Sequence, residues 1–172
     1  SIDQRSGVSA RFAIAGAETV GAAALHRATV TGEEAAVARV VDLTSVIDVL
    51  RGKVEFESGE EGRETEILEH LLRKATADTV RAHLGGIDMA PLVTALESGE
   101  PVVTGDRVTA SELLKSIPSP DTTTPVVDAV AERLDAADGG ERASALELAL
   151  EGLFLARRIS KEADDHGVTM YG

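Results

Sequence analysis

The chain lacks cysteine and tryptophan altogether, and each absence narrows what kind of protein it can be. Its 172 residues contain no cysteine, so disulfide bonds and thiolate metal sites are excluded. Aromatic residues make up only 2% of the chain, with one tyrosine and three phenylalanines. The core must therefore be built from Ala, Val, Leu and Ile. Because Ala and Leu are strong helix formers, this composition predicts an all-α fold.

Positive charge is also scarce. The chain carries 17 Lys and Arg residues against 30 Asp and Glu residues, for a net charge of −13. An acidic surface of this size repels nucleic acid and anionic lipid, so we expect neither nucleic acid nor a membrane as a partner. No apolar run approaches the roughly 18 residues of a membrane-spanning helix. No secretory leader is evident, and we expect a cytoplasmic protein.

Apolar periodicity and capping signals predict a bundle of about six helices with irregular connections. The first helix is predicted over about residues 9–28 and is rich in Ala and Gly. A brief extended segment is predicted after Glu97, and the proline-rich stretch over residues 117–125 predicts a long loop. The next helix is predicted over about residues 124–137. The last helix is predicted over about residues 141–163, at the centre of the C-terminal bundle and followed by a frayed tail.

Motifs for catalysis and metal binding are missing from the sequence. It contains no G-x-x-x-x-G-K-[ST] phosphate loop, no G-x-S-x-G elbow and no H-E-x-x-H motif. Glu66 and His70 lie four positions apart on the longest predicted helix and could share a metal ion. Two ligands are too few for a metal site, so we interpret them as a surface pair and expect neither a metal site nor a catalytic residue.

A small basic cluster closes the last predicted helix. It consists of Arg157, Arg158 and Lys161, and the acidic residues Glu147, Glu151 and Glu162 surround it. Side chains three or four positions apart meet on a helix surface, so we interpret the cluster as ion pairs within this helix. The alternative is a basic face that docks a partner.

Arg11 stands near the start of the first predicted helix, which is an unfavourable place for a cation. The first helical turn has unpaired N–H groups and a partial positive charge, and it favours an acidic side chain or a bound anion. An arginine and free N–H groups that converge on one point suit a phosphate. The alternative is that Arg11 pairs with Glu18 or with an acidic residue near the C-terminus.

The segment around Arg11 resembles a known motif. Gly-Val-Ser-Ala-Arg, residues 7–11, opens a helix of small residues and resembles the sensor-2 segment of AAA+ ATPases, most closely in the magnesium-chelatase and MoxR-like branch. Residues 40–76 resemble the region after sensor 2 in bacterial magnesium-chelatase subunit I-like ATPases. Residues 150–172 resemble the C-terminal end of the same proteins, so the resemblance covers nearly the whole chain.

The resemblance implies a role for Arg11 and a division of the chain. In that family an arginine at the start of a lid helix reaches the nucleotide phosphates, so Arg11 would sense phosphate, with Gly7 and Ser9 supporting the helix start. Residues 1–52 would be a lid remnant, and residues 53–172 a C-terminal helical extension. Walker A, Walker B, sensor 1 and the arginine finger have no counterpart here. The chain would therefore be the non-catalytic, C-terminal part of a longer ATPase, and ATP and Mg²⁺ are implied for that full-length protein only.

Partners and an alternative function follow from these observations. The resemblance implies contacts with other subunits of an AAA+ ring and with a protein that carries a von Willebrand factor A domain. The full-length protein would couple ATP hydrolysis to metal insertion or to protein remodelling. The alternative is a free-standing helical adaptor that does not depend on nucleotide. The acidic surface and the missing catalytic motifs fit both functions equally well.

Overall fold

A helical bundle with a small sheet forms the described part of the chain. A computed structural model of the protein describes residues 10–54, 56, 59, 61–164 and 167–172. The predicted helical bundle is confirmed, and a three-stranded antiparallel sheet is added to it. The elements are α1 (Ala10–Thr31), a 3₁₀ helix (Val40–Ser45), α2 (Val46–Arg51), α3 (Glu64–Leu84), α4 (Ala90–Ser98), β1 (Val102–Gly105), α5 (Ala110–Lys115), α6 (Pro120–Arg133), α7 (Gly139–Leu155), β2 (Lys161–Ala163) and β3 (Val168–Tyr171).

Helix α7 is the centre of the bundle, as its apolar pattern predicts. It packs against α3, α5 and α6. Asp138 begins the helix with a capping box, because its carboxylate accepts the N–H of Glu141 at 2.8 Å. Apolar residues surround α7 and bury most of it, so little of its surface reaches solvent. The largest fully buried apolar side chains around it are Leu92, Val102, Leu113, Val130, Leu146, Leu150 and Tyr171.

Helix α1 lies at the side of the bundle and is mostly exposed. It packs against the 3₁₀ helix and α2, and α2 packs in turn against α3. The predicted first helix is confirmed, and it continues to Thr31. Only Ala24, Arg27 and Ala28 of α1 are buried. The rest of the helix combines small residues with exposed larger ones such as Ile14 and Leu25, so it buries little apolar surface and contributes correspondingly little to stability.

The C-terminal residues form strands where a helix and a frayed tail were predicted. Helix α7 ends at Leu155, so the predicted continuation to residue 163 is wrong. Arg157 has a φ of 59°, and this left-handed residue turns the chain out of the helix. Strand β3 then pairs with both β1 and β2 and is the central strand. The backbones of Ser160 and Gly172 exchange hydrogen bonds of 2.6 and 3.3 Å, so the predicted frayed tail is wrong as well. The extended segment predicted after Glu97 is confirmed as β1.

Helix α6 begins earlier than its prolines suggested. The loop predicted over residues 117–125 is wrong for its second half, because α6 starts at Pro120 and contains Pro125. Pro120 occupies the first helical position, where the missing N–H group is tolerated. Thr123 is buried in the first turn, and its hydroxyl donates to the carbonyl oxygen of Ser119 at 3.0 Å. The hydrogen bonds of Thr123 therefore hold the first turn in place, although its other residues are exposed.

Contacts cross the predicted boundary after residue 52. The hydroxyl of Ser144 on α7 donates to the carbonyl oxygen of Ala38 at 2.7 Å. Arg39 forms an ion pair with Glu147, also on α7. The division into two domains stays a prediction, and the residues on its two sides share polar contacts, of which the Arg39–Glu147 pair is buried.

The contact between α3 and α7 depends on one glycine. A Cβ atom at Gly152 would lie 2.5 Å from Cγ1 of Val80 on α3, closer than any real carbon contact. We expect Gly152→Ala to lower the free energy of unfolding by about 1–3 kcal/mol, as overpacking does in other cores. Gly139→Ala is the matched control, because a Cβ at that position of the same helix meets nothing within 4 Å.

Urea denaturation followed by circular dichroism measures both variants. The control is expected to stay within about 1 kcal/mol of wild type or to gain stability through the lower entropy of its unfolded chain. Equal losses in the two variants would contradict the close approach of α3 and α7 at Gly152.

Candidate functional site

Arg11 lies in the first turn of α1, and its side chain is exposed to solvent. Helix α1 has no acidic residue in its first turn. No hydrogen bond or ion pair joins Arg11 to Glu18 in the described part of the chain, and Glu18 is exposed as well. Gly7 and Ser9, the predicted supporting residues, lie outside the described residues. The role of Arg11 as a phosphate sensor stays a prediction.

The far end of α1 is tied to the bundle by a second arginine that the sequence analysis did not single out. Arg27 is 3% exposed and makes two hydrogen bonds to the carboxylate of Asp42, at 3.1 and 3.0 Å. Its guanidinium also donates to Glu33 at 3.1 Å and to the carbonyl oxygen of Val37 at 2.6 Å. A buried arginine requires this many acceptors, since each unpaired donor would lose its hydration without replacement.

Asp42 also contacts a second buried arginine, Arg39. Its Oδ2 atom accepts the backbone N–H of Arg39 at 2.8 Å. The Arg39 side chain then pairs with Glu147 on α7, with Nε 2.7 Å from Oε2. Its remaining nitrogens donate to the hydroxyl of Thr104 on β1 at 2.5 Å and to the carbonyl oxygen of Val108 at 2.7 Å.

These residues form one connected unit, which we call the buried ionic network. It consists of Arg27, Asp42, Arg39, Glu147 and Thr104. Thr104 closes it, because its hydroxyl donates to Oε1 of Glu147 at 2.9 Å. All five residues are at most 5% exposed. Two arginines and two carboxylates balance in charge, so the network is buried without an unpaired ion.

A parallel connection links the end of α1 to α5. Glu33 accepts the Arg27 guanidinium through Oε2 and the backbone N–H of Ala110 through Oε1, at 3.1 and 2.8 Å. Ala110 is the first residue of α5, where a carboxylate meets unpaired N–H groups and the positive end of the helix dipole. One side chain therefore joins α1 and α5.

The sequence contains a weak signal for this network. Arg39 stands between Ala38 and two valines, and a charged residue that is buried with such neighbours has to be paired. Glu147 was interpreted as part of a basic and acidic cluster within the last helix, and this is wrong. Its partner is Arg39, 108 positions earlier in the chain, and helical spacing cannot reveal such a pair.

A cavity of about 650 Å³ lies beside the buried ionic network, among α2, α3, α7 and the sheet. Its volume falls in the range of small-molecule sites. Thr104 and Glu147 of the network line it, and so do Glu151 and Tyr171. These four residues are buried and form its inner end. Its apolar walls come from Val40, Leu43, Ile47, Leu72 and Phe154.

Lys161 lies in this cavity and replaces the predicted pairing within the last helix. It belongs to β2, and its ammonium is 2.7 Å from Oε2 of Glu151 on α7. Lys161 Nζ also lies 5.5 Å from the ring centre of Phe154 and 5.4 Å from that of Tyr171. Both distances fit cation–π contacts.

Tyr171 is buried, and its hydroxyl donates to Oε2 of Glu151 at 2.6 Å. Burial raises the pKa of Tyr171 far above its ordinary value, and the negative charge of Glu151 raises it further. The hydroxyl therefore stays protonated in the folded protein and remains a donor to Glu151.

Glu66 and His70, the candidate metal ligands, belong to no cluster of possible ligands among the described residues. Glu66 and His70 are exposed on α3, and Glu66 accepts Arg63 Nε at 3.4 Å. Within the described ranges, no three His, Cys, Asp or Glu side chains lie close enough together to hold a metal ion. In the same part of the chain, no helix is sufficiently long and apolar to cross a membrane.

Comparisons with known proteins identify no relative of this chain. No protein-family model, no curated protein and no solved structure matches the chain. The resemblance of residues 7–11 to sensor 2, and of the later segments to magnesium-chelatase-like ATPases, therefore stays a prediction.

The Arg39–Glu147 pair has a measurable signature in stability. Replacing one partner leaves the other charge buried and unpaired, so Arg39→Met and Glu147→Met are each expected to lower the free energy of unfolding by about 3–5 kcal/mol. The double variant is expected to lose less than either single variant, because neither charge remains.

A double-mutant cycle in urea measures this coupling. Lys74→Ala is the control, since its exposed pair with Asp78 is expected to contribute only about 0–1 kcal/mol. Losses that simply add in the double variant would contradict a direct buried pair.

The raised pKa of Tyr171 predicts a specific alkaline transition. Its folded-state pKa lies above the value of about 10 for an unfolded tyrosine. The contribution of the protonated Tyr171 hydroxyl to the free energy of unfolding is therefore fully present below about pH 10, and it is lost as the pH rises above that value. We expect tyrosinate absorbance to appear only together with loss of the helical circular dichroism signal.

The protein unfolded in urea is the control for this titration, and its tyrosine should ionise at the ordinary pKa. Because the chain has a single tyrosine, the absorbance reports Tyr171 alone. Ionisation near the ordinary pKa while the helical signal persists would contradict its burial.

Proposed function

We propose that the chain is the non-catalytic, C-terminal module of a magnesium-chelatase-like AAA+ ATPase, and that it transmits the nucleotide state from α1 to the rest of the bundle. The observation that carries this proposal is the buried ionic network, which joins α1 to α7 and β1. The resemblance of residues 7–11 to sensor 2 supplies the nucleotide link. The proposed full-length ATPase works in the cytoplasm.

Helix α1 is suited to carry a displacement along its length. Arg11 is exposed near one end and Arg27 is buried near the other. At 1.5 Å per residue, about 24 Å of continuous helix separates these two positions. A phosphate that binds or leaves Arg11 would move one end of this rod, and the other end is held by the network.

The network converts movement of α1 into movement of the bundle. Separating Arg27 from Asp42, or Arg39 from Glu147, would leave buried charges unpaired at a cost of several kcal/mol. Moving α7 and β1 together with α1 avoids this cost. Polar networks in a low-dielectric interior are rigid for this reason.

The remaining parts of the mechanism belong to the longer protein. Its ATP and Mg²⁺ would be held by the Walker motifs, which this chain lacks. Its partners would be the other subunits of an AAA+ ring and a protein with a von Willebrand factor A domain. The transmitted movement would drive metal insertion or protein remodelling.

A second candidate function is a free-standing helical interaction module without nucleotide dependence. The exposed apolar side chains of α1 favour it. Ile14, Leu25 and Val30 are 56%, 61% and 55% exposed, and large apolar side chains grouped on one element are typical of docking surfaces. The two functions differ in whether nucleotide is involved.

Replacing Arg11 in the complete gene product tests the proposal. We expect Arg11→Ala to lower kcat for ATP hydrolysis by about 100-fold, the effect of removing one charged contact to the transition state. Arg107→Ala is the control, because this arginine is also exposed and lies between β1 and α5. Circular dichroism confirms that both variants fold.

Two outcomes would overturn the proposal. Equal rates for wild type and Arg11→Ala would mean that Arg11 senses no phosphate. A gene product that neither binds nor hydrolyses ATP would exclude the ATPase and favour the interaction module.

A further inference from the structure

Half of the aromatic side chains in this protein surround one ammonium group. The chain has only three phenylalanines and one tyrosine. Phe154 and Tyr171 both lie within 5.5 Å of Lys161 Nζ, measured to their ring centres. The carboxylate of Glu151 completes the surroundings at 2.7 Å. Two aromatic faces with a carboxylate are the chemistry by which proteins recognise organic ammonium ions.

The carboxylate of Glu151 keeps one oxygen available. Lys161 and Tyr171 both donate to Oε2, at 2.7 and 2.6 Å. Oε1 makes no hydrogen bond to any described residue, and the described residues contain no fully enclosed side-chain oxygen or nitrogen without a partner. Oε1 is therefore not fully enclosed, and Glu151 is part of the cavity lining. A second N–H donor could reach it without displacing Tyr171.

The charge of the cavity selects against anions. Its lining contains two cations, Arg73 and Lys161, and four carboxylates, those of Asp48, Glu69, Glu147 and Glu151. Each of these carboxylates pairs with a cation: Glu147 with Arg39, Glu69 with Arg73, Asp48 with Arg51, and Glu151 with Lys161. When Lys161 turns away, Glu151 is left without its cation, so a cationic ligand is attracted into the space, whereas a phosphate or carboxylate is repelled.

Lys161 can leave its place without unfolding the bundle. Its side chain is 24% exposed, whereas that of Glu151 is 9% exposed. It belongs to the three-residue strand β2, at one edge of the sheet. Rotating its flexible four-carbon side chain toward solvent leaves Glu151, Phe154 and Tyr171 in position. The vacated space joins the cavity of about 650 Å³.

We propose that Glu151, Phe154 and Tyr171 form a binding site for a small amphipathic amine, with Lys161 as its built-in competitor. The protonated amino group of the ligand takes the place of the Lys161 ammonium against the carboxylate and the two rings. Its hydrocarbon part lies along the apolar walls, among them Leu72 and Ile47. This inference is independent of the nucleotide link.

Titration of the 172-residue chain with n-butylammonium tests the site. Tyr171 is the only tyrosine and tryptophan is absent, so intrinsic fluorescence reports the site directly. We expect Lys161→Ala to bind n-butylammonium about tenfold more tightly than wild type or better, since a tethered competitor acts at millimolar effective concentration. Lys74→Ala, which removes an exposed lysine on α3, should bind as wild type does.

Two further measurements identify the interactions. Glu151→Gln in the Lys161→Ala background is expected to weaken binding by about tenfold, through loss of one charge-assisted hydrogen bond. Lys161→Ala should bind the neutral isostere 1-butanol about tenfold more weakly than n-butylammonium or worse, because 1-butanol cannot form the charge-assisted hydrogen bond to Glu151.

Several results would overturn the proposal. These are equal affinity of wild type and Lys161→Ala for n-butylammonium, equal binding of 1-butanol and n-butylammonium, or no binding by either protein. If Lys161→Ala does not fold, Lys161→Met keeps the length of the side chain and removes the charge, and the same comparison applies. None of these results depends on ATP, so they leave the proposed function to its own test.

Discussion

The ion pair between Arg39 and Glu147 is the interaction on which the arrangement of this protein depends. Both side chains are 1% exposed, and removing either one would leave the charge of the other buried and unpaired. Arg39 follows α1, Glu147 lies in the middle of the central helix α7, and Thr104 on β1 bonds to both. The Arg39 guanidinium therefore joins the central helix to the sheet, and Asp42, which accepts the Arg39 backbone N–H and pairs with Arg27, joins the first helix to them.

The surface and the interior of the protein differ in how their charges are arranged. The surface of the protein is strongly acidic, yet the charges inside are balanced in pairs: Arg27 with Asp42, Arg39 with Glu147, and Lys161 with Glu151. Glu147 and Thr104 belong both to the buried ionic network and to the lining of the cavity. The connection to α1 and the cavity therefore meet at shared residues on α7 and β1.

Local signals in the sequence predicted most helices and failed where long-range contacts decide. Capping boxes and apolar periodicity depend on residues three or four positions apart, so they can be read directly from the chain. The Thr109–Glu112 capping box at the start of α5 is an example in the structure. The end of α7 could not be found in this way. The residues after Leu155 keep a helical composition, but pairing of β2 with β3 overrides it.

The sequence by itself determined the helical class, the acidic surface and the absence of thiol chemistry, because these follow from composition and from short-range periodicity. It also marked Arg11 as unusual for the start of a helix. Only the tertiary structure decided which charges are buried and with which partners, since Arg39 and Glu147 are 108 positions apart. Likewise, only the pairing of β3 with β1 and β2 brings Tyr171 to Glu151 and places Lys161 beside the rings of Tyr171 and Phe154. Such contacts depend on how distant elements pack, and no local pattern encodes them.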